Sequence, residues 1–193
     1  MDYIQQSGTH LLALVNDLSD LSKIDSGNID FNPVPTNVLQ LFDSVITLLK
    51  DGASRKKISL SCTVSESIDN RPVNMDELKI RQTLLNLLTN AITHTPEEGS
   101  VRLHGEIINE VLFLEVSDSG SGIPLEYHER VFERFFQLNR NPDDKDAGTG
   151  LGLAISRRYV ELHGGTLMLK DSAEIEGCHL VCEIPLNSVE LKA

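Results

Sequence analysis

The chain has 193 residues, 40 % of them hydrophobic and 24 % charged, with 29 acidic against 17 basic side chains. That is the length of one ordinary domain of about 100–150 residues plus an appendage, and the charged fraction excludes a wholly disordered chain. A net charge of −12 argues against nucleic acid as a partner, because duplex affinity comes mainly from basic contacts to phosphates.

An anionic small ligand stays open, since backbone N–H groups hold phosphate without lysine. Cys62, Cys178 and Cys182 form no CxxC pair and are odd in number, so reduced thiols are expected rather than a disulfide framework or a zinc site. No run approaches the roughly 18–20 apolar residues of a membrane span, and Met1-Asp2-Tyr3 opens no signal peptide. A soluble, cytoplasmic chain is expected.

Residues 3–25 carry Ile4, Leu11, Leu14, Val15, Leu18, Leu21 and Ile24, and the seven-residue step Ile4–Leu11–Leu18, with Leu14–Leu21 beside it, is the seam of a long coiled-coil or bundle helix. Ser26-Gly27 ends it with a left-handed cap. A short strand around Ile29–Phe31 is expected next, and Pro33 and Pro35 make the junction stiff and non-helical, with a domain boundary at 27–35. A helix over 37–53 has Leu39, Phe42, Ile46 and Leu49 on one face and Asn37 and Gln40 spaced as a capping box. Ile58, Leu60, Cys62 and Val64 alternate as a half-buried strand. Asp76 caps a long helix to about 93, with Ile80, Leu84, Leu87, Leu88 and Ala91 in its apolar stripe. Strands at 101–107 and 111–117 read as a hairpin joined at Asn109-Glu110. A helix runs from near 150 to Gly164-Gly165, and strands at 166–170 and 179–184 close the domain. The mixture predicts a two-layer α/β sandwich, an α+β arrangement in which helices cover a mixed sheet, preceded by the long N-terminal helix.

Two glycine-rich turns invite a nucleotide, yet the familiar fingerprints fail. Gly148-Thr149-Gly150 and Gly120-Ser121-Gly122 would each need a third glycine where leucine stands, and no Gly-Lys dipeptide exists for a P-loop. What remains is Asp118-Ser119-Gly120-Ser121-Gly122 directly after an apolar strand, and Gly148-Thr149-Gly150-Leu151-Gly152 opening a helix. The second is a recipe for anion binding: glycine lets backbone approach a phosphate, and the helix start offers free N–H groups. Asp118 is either a plain turn residue or the reader of a ligand donor in a cleft. Asn86 and Asn90, four apart on the long helix, share a face at the border of the apolar stripe. They are either solvated polar residues or the source of an amide oxygen that completes a Mg²⁺ shell of phosphates and water.

These pieces resemble the catalytic, ATP-binding domain of sensor histidine kinases, especially hybrid ones, within the superfamily that includes gyrase, Hsp90 and MutL. The match runs in order across about residues 30–187. Leu84-Leu85-Asn86-Leu87-Leu88-Thr89-Asn90-Ala91 resembles the N box and Asp118-Ser119-Gly120-Ser121-Gly122 the first glycine box. Phe132-Glu133-Arg134-Phe135-Phe136 resembles the F box, and Gly148-Thr149-Gly150-Leu151-Gly152-Leu153-Ala154-Ile155 the second glycine box. The resemblance implies a Bergerat-type fold over 28–193, binding ATP and Mg²⁺. It implies that Asp118 accepts from the adenine amino group, Asn90 holds Mg²⁺, Asn86 lies beside the phosphates, and Gly148, Gly150 and Gly152 cradle them. Gly120, Gly122, Phe135, Thr149 and Leu151 complete the implied ATP-binding set, and residues 137–147 form a lid.

Residues 1–27 are similar to the second helix of the family's dimerisation hairpin, which implies a homodimer in the full-length protein and a response regulator receiver domain as partner. The family's acceptor histidine is followed by an acid and, further on, Thr-Pro. None of the six histidines fits, His128-Glu129-Arg130-Val131 failing after its second residue, so the acceptor helix is expected outside this chain. Three departures stand out: Thr93 replaces a customary lysine, His94 stands at the aromatic position after it, and Gln137 replaces an arginine. A gyrase- or Hsp90-like hydrolase is disfavoured because Asn86 stands where that chemistry needs a glutamate base. A degenerate nucleotide-sensing or docking module is the alternative reading.

Overall fold

A computed structural model describes residues 8, 15, 18–24, 26–27, 29–68, 71–138, 149–170 and 177–186. Residues 8, 15 and 18–24 are helical, and 18–24 form the continuous described stretch of helix α1. It ends as expected: Gly27 adopts φ +69° and its N–H donates to Ile24 O at 3.1 Å. The strand expected at 29–31 is absent. Pairing begins at β1 (Val34–Thr36), which carries Pro35 and runs antiparallel to β3 (Val73–Met75) in a two-stranded ribbon. Such a ribbon leaves one edge of each strand unpaired, where a proline costs no ladder bond.

Helix α2 (Val38–Arg55) starts where Asn37 Oδ1 accepts the Gln40 N–H at 3.1 Å. Phe42 of the expected face is fully buried, but Val38, Leu41 and Val45 surround it, while Ile46 and Leu49 pack at the edge of the core partly exposed. The helix is apolar on more than one side, and the sheet selects which side is covered. Strand β2 (Ser59–Val64) follows, and then β3 and helix α3 (Glu77–His94), whose N-cap is Asp76 as expected.

Strands β4 (Ser100–Ile108) and β5 (Val111–Asp118) form the expected hairpin, with Asn109 and Glu110 at φ +50° and +59° as a tight primed turn demands. Helix α4 (Gly152–Leu162) stops at Gly164, φ +71°, before β6 (Thr166–Leu169) and β7 (His179–Pro185). The sheet order is β2-β4-β5-β7-β6, with β2 and β4 parallel and the other neighbours antiparallel. This is the expected mixed sheet. Ile80, Leu84, Leu87 and Leu88 of α3 are completely buried in one core with Val101 and Leu103 of β4 and Leu112 and Leu114 of β5.

The alternation of β5 decides where the site lies. Leu112, Leu114, Val116 and Asp118 share the buried side of the strand, so its final residue turns a carboxylate toward the helix layer. A second, smaller core joins Leu21 and Ile24 of α1 to Leu151, Ile155 and Tyr159. Val15 and Leu18 of the expected seam are exposed. The rest of that seam, Ile4, Leu11 and Leu14, lies outside the described residues, as do Gly148 and most of the expected lid. No described helix is long and apolar enough to cross a membrane.

Candidate nucleotide site

Asp118 is 7 % exposed at the end of β5. Its Oδ1 accepts two backbone donors, Gly120 N–H at 2.8 Å and Cys178 N–H at 3.3 Å. Its Oδ2 has no hydrogen bond among the described residues, which leaves one acceptor for a ligand. Burial pushes the carboxyl above the usual carboxylate range, and the two N–H bonds and the nearby His94 oppose that shift. Gly120 is required here for space, since a Cβ would stand 2.8 Å from both Asp118 Oδ1 and the carbonyl oxygen of His94. The first glycine box and the last residue of α3 are therefore in direct contact.

Helix α3 carries the site away from that corner. Asn86 and Asn90 are both half-buried. Asn86 Nδ2 donates to Gly152 O and to Ser156 Oγ, each at 3.4 Å, which seats it against the first turn of α4. The amide of Asn90 has no hydrogen bond among the described residues, so its oxygen is available to a cation. From His94 back to Asn86 the helix spans about 12 Å at 1.5 Å per residue. The C-terminal end of α3 thus meets the carboxylate corner, and its middle, at Asn86, meets a glycine-rich helix start.

The second glycine box is braced from two sides. Thr149 Oγ1 accepts the Leu151 N–H at 3.1 Å, and Leu151 itself is buried against α1. Phe135 N–H donates to Gly150 O at 2.8 Å. Gly150 has φ +70°, and a Cβ there would lie 2.9 Å from the Phe135 backbone. The F box and the second glycine box are thereby held edge to edge. Phe135 adopts φ +62° with an exposed ring, while Val131 and Phe132 anchor the segment in the core and Arg157 stacks over Phe132 at 5.0 Å. Of the described members of the expected set, Asp118, Gly120 and Gly122 gather at the carboxylate corner, Asn86, Phe135, Thr149, Gly150, Leu151 and Gly152 gather at the start of α4, and Asn90 lies on α3 between His94 and Asn86.

Three contributors escaped the sequence reading. Cys178 reaches Asp118 from 60 positions away. Lys56, at the end of α2, donates from Nζ to Ile92 O at 2.9 Å and Thr93 O at 2.8 Å, with Thr95 O at 3.4 Å, and so caps the last turn of α3. Tyr159 ties α4 to α1 through Asp20. No local pattern marks any of them, because each acts across the fold. Thr93 spends its hydroxyl on Thr89 O at 2.8 Å.

Residues 75–188 match the family described as histidine kinase-, DNA gyrase B- and HSP90-like ATPases, and the chain belongs to that family. It is 35 % identical over 185 residues to an uncharacterized sensor-like histidine kinase of Rhizobium meliloti (strain 1021), covering 96 % of this chain and 35 % of that protein. The chain therefore spans about a third of that relative's length. Full-length ShkA in complex with AMPPNP superposes with a TM-score of 0.83 at 30 % identity, over 95 % of this chain and 37 % of ShkA. Histidine kinase ThkA in complex with the response regulator protein TrrA gives 0.68 at 26 % identity, over 90 % of this chain and 49 % of that one. The domain is an ATP-binding domain of the histidine kinase type.

Proposed function

We propose that residues 28–193 bind Mg-ATP and deliver its γ-phosphate to a histidine on a helix outside this chain, as the catalytic part of a two-component sensor histidine kinase. Residues 1–27 are the second helix of its dimerisation hairpin, the full-length protein is a homodimer, and this portion works in the cytoplasm. The observation that carries the reading is the pairing of a buried carboxylate, its Oδ2 unbonded among the described residues, with a glycine-rich helix start that meets the same helix α3 at Asn86.

Asp118 Oδ2 accepts the exocyclic amino group of adenine and orients the base. Asn90 holds the metal through its amide oxygen, and Asn86 keeps the start of α4 registered with α3 beside the phosphates. The backbone N–H groups of Thr149–Gly152 and the positive end of α4 face the phosphate oxygens. A Mg²⁺ held by the Asn90 amide oxygen would supply positive charge to offset that of the phosphates. Phosphoryl transfer then needs mainly positioning, with the acceptor nitrogen in line. The neutral amide of Asn86 cannot take a proton from water, which disfavours hydrolysis as the outcome. The complex of ThkA with a response regulator supports a receiver domain as the next partner.

The test is a split reaction. Residues 1–193 with labelled ATP should form no acid-labile phosphohistidine and release negligible phosphate. Adding the acceptor helix, fused upstream or supplied by a partner subunit, should produce labelled phosphohistidine. Label on the isolated chain would refute the external acceptor. Intact ATP binding without transfer in the fused protein would favour the docking-module alternative.

A further inference from the structure

Gly177 stands at φ +112° just before β7, and a Cβ built there would lie 1.9 Å from the carbonyl oxygen of Asp118 and 3.0 Å from Gly120 N. Only a residue without a side chain lets the two backbones approach so closely. The approach makes a reciprocal pair: Asp118 N–H donates to Cys178 O at 3.0 Å, and Cys178 N–H donates back to Asp118 Oδ1 at 3.3 Å. Gly122, φ +67°, closes on the same corner, its would-be Cβ 3.0 Å from Gly177 O. With Gly120 N–H also on Oδ1, that oxygen has both acceptor directions filled, and Oδ2 is left for a ligand.

We propose that Gly177 and the backbone N–H of Cys178 are positioning groups of the base site, fixing the Asp118 carboxylate so that Oδ2 meets the amino group of a 6-aminopurine and repels the carbonyl of a 6-oxopurine. The proposal rests on the ATP-binding reading and extends it to base selectivity. Among the described residues, the charged and titratable groups that bear on Asp118 are His94 and Cys178. His94, at the end of α3, favours the ionised carboxylate. The Cys178 thiol is pushed up to about 12 by burial and by Asp118 itself, so it stays protonated. Burial is the largest influence on Asp118 and works against ionisation, so each N–H bond to Oδ1 matters to the charge state as well as to the aim.

The test is calorimetry of Mg-ADP and Mg-GDP on residues 1–193 and on Gly177→Ala, between about pH 5 and 8, with circular dichroism to verify folding. Gly177→Ala should bind ADP about tenfold or more weakly and discriminate less against GDP. Its loss of ADP binding on acidification should also begin at a higher pH, because burial is then less opposed. A general loss of stability would not move that pH limb. A folded Gly177→Ala with wild-type affinity, selectivity and pH limb overturns the proposal.

Should the variant not fold, the wild-type amide resonances decide. The Cys178 N–H should shift with pH in step with the limb of ADP binding and lose that shift in Asp118→Asn. A Cys178 amide indifferent to pH overturns the proposal. Absence of ADP binding by the wild type would instead remove the ATP-binding reading on which it stands.

Discussion

Tyr159 of α4 donates its phenolic O–H to Asp20 Oδ2 of α1 at 2.9 Å, and its backbone carbonyl accepts from His163 Nδ1 at 2.7 Å. Through His163 Nε2, which accepts the Asp76 N–H at 3.0 Å, the same residue is linked to the N-cap of α3. Asp76 Oδ2 in turn accepts the Asn32 N–H at 2.9 Å. Both ends of the segment between α1 and β1 are thus tied to the stretch Tyr159–His163, whose helix begins at the second glycine box.

Tyr159→Phe keeps the ring in the small core with Leu21 and Ile24 and removes only the hydroxyl. Stability should fall by about 0.5–1.5 kcal/mol in urea denaturation. Hydrogen exchange should quicken at residues 20–24 while the sheet amides are unchanged. Unaltered exchange in α1 would show that the apolar contacts alone hold it.

His163 is a pH-dependent element. Nδ1 faces a carbonyl and Nε2 faces an N–H, so the buried ring is the neutral Nδ1–H tautomer. Burial lowers its pKa, outweighing the Tyr159 carbonyl bond and the charge of Asp76, with Lys79 acting in the lowering direction. Below about pH 6.5 the unfolded chain takes up a proton that the folded chain resists. Stability is therefore full above that pH and declines as pH falls toward the lowered value. Denaturation curves should show this decline, and His163→Gln should abolish it along with part of the baseline stability.

Asp118→Asn tests the base contact directly. Its amide oxygen must take the Oδ1 position to keep the Gly120 and Cys178 N–H bonds, which puts Nδ2 where the ligand amino group needs an acceptor. ADP affinity should drop by about 2–3 kcal/mol, roughly 30- to 160-fold. Calorimetry showing unchanged affinity would mean that Asp118 does not read the base.

Lys56→Met leaves the last carbonyls of α3 without their cation, and the charge at the negative end of the helix is lost too. The half-buried ammonium should contribute about 1–2 kcal/mol. Thermal melts should show that loss, with Lys56→Arg recovering part of it. A silent Lys56→Met would mean that water replaces the ammonium at no cost.

Much of this was legible locally. The stripe from Ile80 to Ala91, the cap at Asp76 and the turn at Asn109-Glu110 are all set by interactions within four residues or by a repeating period. The glycine boxes were legible for the same reason, because backbone freedom is a property of single residues. The ribbon of β1 and β3 was not, since three-residue strands are too short to display a period. Nor was the buried face of α2, where Val38 and Val45 proved central and Leu39 marginal.

By itself, then, the sequence determined the order of the long helices and of the strands of the main sheet, the residues facing the core on α3, and the places where glycine frees the backbone. The tertiary structure alone decided which distant groups complete them: Cys178 on Asp118 across 60 positions, Lys56 on Thr93 across 37, and Tyr159 on Asp20 across 139. The reason is physical. Local signals arise from dihedral preference and side-chain period, which decay within a few residues. A contact between remote segments is fixed by how the whole chain buries its apolar faces, and no short window contains that information.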